Sequence, residues 1–305
     1  MRAIQTLLRG SIDYAGLFPP ASLDMAAAVD NYDRYLKGGA AWALGRFVVP
    51  VSRLPEFESA AAGYLPRSSG PEWRLATLAG SDLSADLQLV GEFNHAHAAP
   101  GSGLVTIDTI EFKASSERAI RDLMQTLPPP LQAYIEIPID REPGALIAAI
   151  GGSGGRAKVR TGGVTGDAFP ATAHLMRFLH GCVTAAVPFK ATAGLHHALR
   201  AEYPLTYAPD SPRAPMFGFL NLFLTVAFLH AGMDHKDATR LLEEGSADAF
   251  QADERGITWR DHRLDVEVLR RARQQGLISF GSCSFTEPIE DLERLQLLDS
   301  RVQQA

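Results

Sequence analysis

The feature of this chain that most restricts its fold is a repeated alternation between short β-type runs and longer helical runs. Short apolar runs are typical of buried strands, and the amphipathic segments between them are typical of crossover helices. Strands that alternate with helices pair in parallel, and eight parallel strands close a barrel. We therefore predict an α/β fold, a (β/α)8 TIM-like barrel, with a doubly wound open sheet as the alternative. The predicted strands are residues 46–51, 73–78, 87–94, 106–113, 132–139, 156–161, 187–192 and 277–282.

The regular spacing ends after the seventh predicted strand, since about 85 residues separate residues 192 and 277. We predict a single barrel domain over residues 1–305, with a helical insertion at residues 200–265 between strands seven and eight. A segment that follows a barrel strand lies over the mouth, where the active sites of such barrels form. The insertion is therefore interpreted as a lid or an oligomer interface, or else as a helical addition to the outer ring.

Composition argues against several functional classes. The formal net charge of -6 argues against nucleic-acid binding, so we expect a small-molecule partner. The two cysteines, Cys182 and Cys283, show no CxxC spacing, which disfavours a disulfide scaffold and a thiolate zinc site. The first twenty residues contain no apolar run typical of a signal peptide, so a cytoplasmic location is expected.

The most apolar stretch, residues 214–233, requires a separate interpretation. It is nearly long enough to cross a membrane, but it contains Pro215, Asn221 and His230. We predict a buried or interface helix and no membrane span. A homodimer through residues 214–233 is one hypothesis for its role.

Charged residues recur near the carboxyl ends of five predicted strands. They are Glu92, Glu111, Glu136, Lys158 and Lys190, in that order along the chain. Buried charges are costly unless they are paired or functional, and barrel enzymes draw catalytic groups from several strand ends. The pattern therefore predicts a charged barrel mouth and favours an enzyme. The alternative is that these side chains point outward where strands meet helices.

Two chemistries fit these charges. Lys158 and Lys190 lie on adjacent predicted strands, so we expect each to depress the pKa of the other and to yield an amine nucleophile. That is the chemistry of a Schiff-base lyase, which needs no cofactor. Alternatively, Glu92, Glu111 and Glu136 hold Mg²⁺ in a lyase or isomerase, with Lys158 as the base. A third alternative is a barrel without catalysis that serves as a ligand-binding or assembly module.

Four motifs resemble those of the deoxyribose-phosphate aldolase family. The run from Lys158 to Gly162 resembles its K-x-x-T-G on strand six, and Lys190-Ala-Thr-Ala-Gly194 resembles its K-A-x-G-G on strand seven. Phe280–Ser284 resembles its F-G-[TA]-S-S on strand eight, and Asp108 occupies the place of its strand-four aspartate. The resemblance supports a remote relative with a class I aldolase-type barrel, and substrate identity does not carry over.

The resemblance also implies roles for individual residues. Lys158 would form the imine, Lys190 would be the cation that lowers its pKa, and Asp108 would position a water in the proton relay. Asp108 and Glu111 have opposite strand parity, so both can face the mouth only if the strand contains a bulge. The residues expected to bind a phosphate or another anion are Arg160, Thr161, Gly162, Gly163, Gly194, Gly281 and Ser282.

Three further residues are open to two interpretations each. His196 follows strand seven, where it is either a general acid or base or a histidine satisfied by backbone. Asp13 begins a segment rich in Gly and Pro that we expect to pack at the barrel floor, although it could reach the site. Cys283 has no evident histidine partner in sequence, so we predict a buried, inert thiol.

Overall fold

The computed structural model describes residues 2–99 and 101–298, and the predicted domain 1–305 thus includes nine residues outside them. The chain forms thirteen strands within the described residues. They are β1 (Ile12–Tyr14), β2 (Leu44–Pro50), β3 (Trp73–Leu78), β4 (Val105–Lys113), β5 (Gln132–Glu136), β6 (Arg156–Arg160), β7 (Phe189–Thr192), β8 (Ala201–Pro204), β9 (Arg213–Met216), β10 (Phe250–Ala252), β11 (Gly256–Trp259), β12 (His262–Asp265) and β13 (Leu277–Ser282).

Eight of these strands close a parallel barrel, in the order β1-β13-β7-β6-β5-β4-β3-β2. The prediction of a (β/α)8 barrel is thereby confirmed. Helices alternate with the strands around it. They are α1 (Arg2–Leu8), α2 (Met25–Lys37), α3 (Leu54–Ala61), α4 (Leu83–His97), α5 (Glu117–Thr126), α6 (Gly144–Gly152), α7 (Thr172–Thr184), α8 (Phe219–His230), α9 (His235–Leu242), α10 (Val266–Gln275) and α11 (Thr286–Arg294).

The predicted strand at residues 87–94 is wrong, because these residues lie within helix α4. The Asp82 side chain caps the helix by accepting a hydrogen bond from the Ala85 amide. Val90 and Phe93 are buried one turn apart, which is the helical spacing and not the strand spacing. The eighth barrel strand is β1, which pairs with β13 on one side and β2 on the other.

The insertion at residues 200–265 is not purely helical, which corrects the sequence prediction. It contains an antiparallel hairpin of β8 and β9, helices α8 and α9, and a three-stranded antiparallel sheet of β10, β11 and β12. The hairpin follows β7 directly and has its own small apolar cluster of Leu205, Ala214 and Met216. The hairpin therefore lies on the side of the mouth.

The apolar run at residues 214–233 begins in β9 and continues as α8, which packs mainly against α9, α10 and α7. The side chains from Phe219 to Leu229 are all buried within the chain. A homodimer through this run, one of the sequence hypotheses, would have to expose this buried helix. No helix in the described ranges combines the length and apolar character that crossing a lipid bilayer requires.

Candidate active site

Five charged side chains form an alternating chain inside the barrel. The ammonium nitrogen of Lys190 lies 2.6 Å from Oδ2 of Asp13 and 2.6 Å from Oε1 of Glu111. The Lys158 nitrogen lies 2.8 Å from Oε2 of Glu111 and 2.8 Å from Oε2 of Glu136. Glu111 thus bridges the two lysines, and Asp13 and Glu136 are the outer ends of this network.

Strand register brings four of these residues together. Glu136 pairs with Lys158 across β5 and β6, and Lys158 pairs with Lys190 across β6 and β7. Residues that pair directly across parallel strands point to the same face of a sheet, here the barrel interior. Glu111 is registered with Leu78 on β3, at the same level of the wall.

Asp13 was expected to pack at the barrel floor, and the structure instead places it in this network. Its Oδ2 also accepts a hydrogen bond from the Ser279 hydroxyl at 2.7 Å, and its Oδ1 accepts one from the Arg46 amide at 2.9 Å. Gly45 makes room for this carboxylate, since a β-carbon there would lie 2.4 Å from Oδ1. Asp13 is therefore held by three neighbouring strands.

The prediction that the two lysines depress each other's pKa is wrong. Burial lowers the pKa of Lys158, but the carboxylates of Glu111 and Glu136 raise it above its ordinary value. Burial likewise lowers the pKa of Lys190, and Asp13 and Glu111 raise it by more. Burial raises the pKa of Glu111, yet the two ammonium groups bring it down to about 2. The three carboxylates therefore favour the charged form of both lysines.

A cavity of about 180 Å³ lies over this network at the mouth of the barrel. Its charged lining residues include Lys158, Lys190, Glu111 and Arg160. The other part of the wall is largely apolar and comes from β2, β3 and the turn that follows β1. Those apolar residues are Ala15, Phe18, Pro19, Pro20, Val48 and Leu78. The cavity therefore gives a small molecule access to the lysine amine.

A second polar cluster lies at the rim and involves His196. The Nδ1 atom of His196 lies 3.3 Å from Oγ of Ser282, 3.8 Å from Sγ of Cys283 and 3.5 Å from Oε2 of Glu287. Burial lowers the pKa of His196, but its contacts with Cys283 and Glu287 raise it to about 9. Tyr207 of the hairpin reaches the same cluster, with its hydroxyl 3.6 Å from the Cys283 sulfur.

This cluster corrects the interpretation of Cys283, which has a histidine neighbour that the sequence did not indicate. Both Cys283 and His196 line the cavity. His196 touches neither lysine of the network in the described structure, and its nearest polar partners belong to the rim. As an acid or base, His196 would therefore act on a molecule bound in the cavity and not on the lysines directly.

Asp108 is not at the mouth. The β3–β4 register shifts after Ile107, so a bulge accommodates Asp108, and Thr109 pairs with the first residue of β5. Asp108 therefore lies toward the amino end of the barrel, where Arg46 donates to it at 2.9 Å and Arg74 makes a second ion pair. This position separates Asp108 from Lys158. The structure therefore does not support the prediction that Asp108 positions a water for proton transfer at Lys158.

Glu92 is also far from the mouth, because it projects from helix α4, where it accepts a hydrogen bond from exposed Gln88. The three-glutamate magnesium site is therefore wrong as predicted, since Glu92 cannot join Glu111 and Glu136. Within residues 2–99 and 101–298, no three His, Cys, Asp or Glu side chains are arranged to hold a metal ion.

The residues expected to bind an anion fall into two groups. Arg160, Gly163, Gly194 and Gly281 line the cavity. The backbone of Arg160 pairs with β7, but its exposed guanidinium makes no hydrogen bond or ion pair within the described part of the chain and is available to a ligand. The second group is structural.

Thr161 and Gly162 hold the ends of β6 and β7 together. Thr161 is buried and donates to the Ala193 carbonyl at 2.6 Å. Gly162 packs on Gly194, where a β-carbon would lie 3.0 Å from the Gly194 α-carbon. The Ser282 hydroxyl contacts His196 and is buried.

Sequence reasoning missed Glu287 and Tyr207. Glu287 follows the last strand by five residues on α11, and Tyr207 lies in the turn of the hairpin. The only sequence signal was their position after barrel strands, which applies to many other residues. Comparison with protein-family models, with curated proteins and with solved structures finds no match for this chain. Function must therefore be argued from the geometry of the site.

Proposed function

We propose that this protein is a class I, Schiff-base lyase of the aldolase type, or an enzyme of related carbonyl chemistry. Its substrate would be a small carbonyl compound that carries a phosphate or acid group. The observation that carries the proposal is the Lys158 nitrogen, which borders the cavity with a carboxylate on either side at 2.8 Å. The resemblance of the Lys158 and Lys190 motifs to the deoxyribose-phosphate aldolase family supports the same class.

Imine formation needs an amine, a proton acceptor and a fixed cation. The Lys158 ammonium would pass a proton to a carboxylate, and the neutral nitrogen would attack the substrate carbonyl carbon. Loss of water from that adduct gives an imine, which accepts electrons when the neighbouring carbon–carbon bond breaks. The best acceptor of the proton is Glu136, since Glu111 is held ionised by both lysines. Lys190 would supply the fixed positive charge.

Bond cleavage removes the proton of the substrate hydroxyl group and leaves a carbanion equivalent on the imine side that must be protonated. Glu136, ionised again once its first proton has left with the water, would accept the hydroxyl proton. His196 lines the cavity beside Glu287, which places a titrating group on the rim. With its pKa at about 9, His196 is an acid at neutral pH and suits protonation of a developing carbanion or alkoxide. Arg160 would bind the acid group of the substrate, because it has no intramolecular ion pair in the described structure.

The test is borohydride trapping with a panel of small aldehydes and ketones, read by peptide mass spectrometry. We expect a reduced adduct on Lys158 that is absent in Lys158→Met. The control is Lys37→Met, at an exposed lysine of α2 whose ion-pair partner is Asp33, outside the cavity. An adduct on Lys190 alone would exchange the two lysine roles and keep the class. The absence of any specific adduct would contradict the proposal for those carbonyls.

A binding barrel without chemistry is the second candidate, and one observation favours it. The five charges satisfy one another, and the pKa of both lysines is raised, so the network is stable without a ligand. Such a barrel would bind small acids saturably and reversibly, and borohydride would leave no mark on either lysine. Calorimetry beside the trapping experiment separates the two candidates.

A further inference from the structure

We infer that the substrate has an apolar alkyl or aryl body next to its carbonyl, in place of a chain of hydroxyl groups. This inference rests on the proposed function and adds the substrate class. Its basis is the division of the barrel mouth into a charged half and an apolar half. Both halves line the same cavity.

Barrel topology fixes which side chains face each other. In the closed ring, β3 lies four strands from β7, and β2 lies four strands from β6, so these pairs are opposite. Leu78 of β3 thus lies across from Lys190, and Val48 of β2 across from Lys158. A carbonyl carbon attached to Lys158 would direct the remainder of the molecule toward this apolar wall.

The turn after β1 extends the apolar wall upward. Phe18 and the two prolines that follow it line the cavity, and hydrogen bonds within the turn fix their backbone. The Phe18 amide donates to the Ala15 carbonyl at 2.9 Å, and the Ala15 amide donates to the Ser282 carbonyl at 2.7 Å. The wall is therefore anchored to the last barrel strand.

The cavity offers few hydrogen-bond partners to a sugar. Among the described residues that line it, the polar side chains outside the lysine–carboxylate network are those of Arg160, Thr192, His196 and Cys283. Glu111, Lys158 and Lys190 are already engaged with one another and with Asp13 and Glu136. Hydroxyl groups of a polyol that lie against Val48 and Leu78 would lose water and meet no polar side chain on that wall, which opposes binding.

Arg160 defines the other end of the substrate class. It lines the cavity with its guanidinium free of intramolecular ion pairs among residues 2–99 and 101–298. A guanidinium binds a carboxylate or a phosphate through two parallel hydrogen bonds. The geometry therefore selects an aliphatic or aromatic carbonyl compound with one acidic group.

The experiment compares ligands that differ either in chain length or in the number of hydroxyl groups. Binding of butanoate, hexanoate and gluconate is measured by calorimetry, since none of them forms an imine. In parallel, butanal and hexanal are trapped with borohydride. We expect affinity and trapping to rise about fourfold for each added methylene. Gluconate, with the six carbons and the carboxylate of hexanoate, should bind at least tenfold more weakly, by roughly one unpaired hydroxyl.

One substitution tests the wall directly. Leu78→Asn should reduce the gain for each methylene, because it puts a polar side chain where the alkyl chain would pack. The control is Leu89→Asn, the same change on an exposed leucine of α4. It should behave like the parent protein.

The outcomes separate the two proposals. Gluconate binding as tightly as hexanoate, or no gain with chain length, overturns the apolar substrate class, and an adduct on Lys158 in that case leaves the lyase proposal standing. A gain with chain length for the acids, without any adduct from either aldehyde, supports the apolar site and rejects imine chemistry. A gain for acids and aldehydes together supports both.

Discussion

Glu111 is the carboxylate that both lysines share, because it lies between their ammonium groups. In Glu111→Gln the two cations face each other without the intervening charge, so the pKa of Lys158 should fall. We expect the pH midpoint of aldehyde trapping on Lys158 to move down by about one unit or more. The measurement is the rate of adduct formation between pH 6 and 10 with a single aldehyde.

Glu111→Gln should also lower the free energy of unfolding by about 3–5 kcal/mol, because it removes the carboxylate that two buried ammonium groups share. The comparison variant is Glu92→Gln, which removes an exposed carboxylate of α4 and should change neither property. An unchanged midpoint in Glu111→Gln would mean that Glu111 does not set the pKa of Lys158.

The two cysteines provide a test of access to the cavity. Cys283 lines the cavity, whereas Cys182 is fully buried on α7, and burial raises its pKa well above the ordinary value. We expect iodoacetamide to modify Cys283 alone in the native protein and Cys182 only in denaturant. Hexanal under borohydride should protect Cys283. Peptide mapping measures both, and native alkylation of Cys182 or no protection would contradict the cavity assignment.

Charge position predicts part of this site, and the rest depends on distances. Glu111, Glu136, Lys158 and Lys190 were identifiable because each lies near the end of an apolar strand run. The direction of the lysine pKa shifts could not be predicted, because it depends on the carboxylate that lies between the nitrogens. Asp108 was misplaced because a bulge in β4 is invisible in the sequence pattern.

At the scale of elements, one predicted strand is a helix and one barrel strand was not predicted. Residues 87–94 contain Leu, Val and Phe and look like a strand, but Leu87, Val90 and Phe93 recur with helical spacing after the Asp82 cap. Strand β1 has only three residues, too few for an alternating pattern to be visible. It is recognisable only in the closed barrel, where it fills the gap between β13 and β2.

The hairpin of β8 and β9 contacts the mouth through side chains that include Tyr203, which stacks on His197, and Tyr207. The Tyr207 hydroxyl lies 3.6 Å from the Cys283 sulfur, while the hairpin's apolar cluster is separate from the main core. Tyr207→Phe should increase hydrogen exchange of the hairpin amides by about two- to tenfold, the equivalent of one hydrogen bond.

Exchange mass spectrometry measures this effect, and Tyr64→Phe is the matched control on an exposed tyrosine. The peptide that contains α8 should exchange at the parent rate in both variants, because its side chains are buried throughout. Equal exchange of the hairpin in Tyr207→Phe and the parent protein would show that the Tyr207 hydroxyl does not hold it.

At the scale of the whole molecule, the barrel was predictable because it depends on the number and order of elements. The predicted strand at residues 87–94 is a helix, and the barrel strand β1 was not predicted. The two errors offset each other, so the predicted number of eight strands was still correct. The mixed insertion was not predictable, since β8 to β12 are three or four residues long and show little alternation. Short strands of this kind depend on contacts that are distant in sequence.

The free energy of unfolding should fall both at acid pH and at alkaline pH. Glu111 has a pKa of about 2 in the fold against 4.5 when unfolded, so its contribution is complete above pH 4.5 and is lost as pH falls toward 2. His196 has a pKa of about 9 against 6.5, so its contribution is complete below pH 6.5 and is lost as pH rises through 9. The unfolding free energy should therefore be highest between these limits.

The alkaline side can be assigned to a single residue. One proton linked to folding changes the unfolding free energy by about 1.4 kcal/mol per pH unit, so His196 accounts for about 3 kcal/mol between pH 6.5 and 9. Urea unfolding at intervals from pH 5.5 to 9.5 should show this decline in the parent and in His235→Gln, an exposed control. In His196→Gln the decline should flatten, because no imidazolium remains to lose its proton beside Glu287. A parallel decline in all three proteins would assign the effect to other groups.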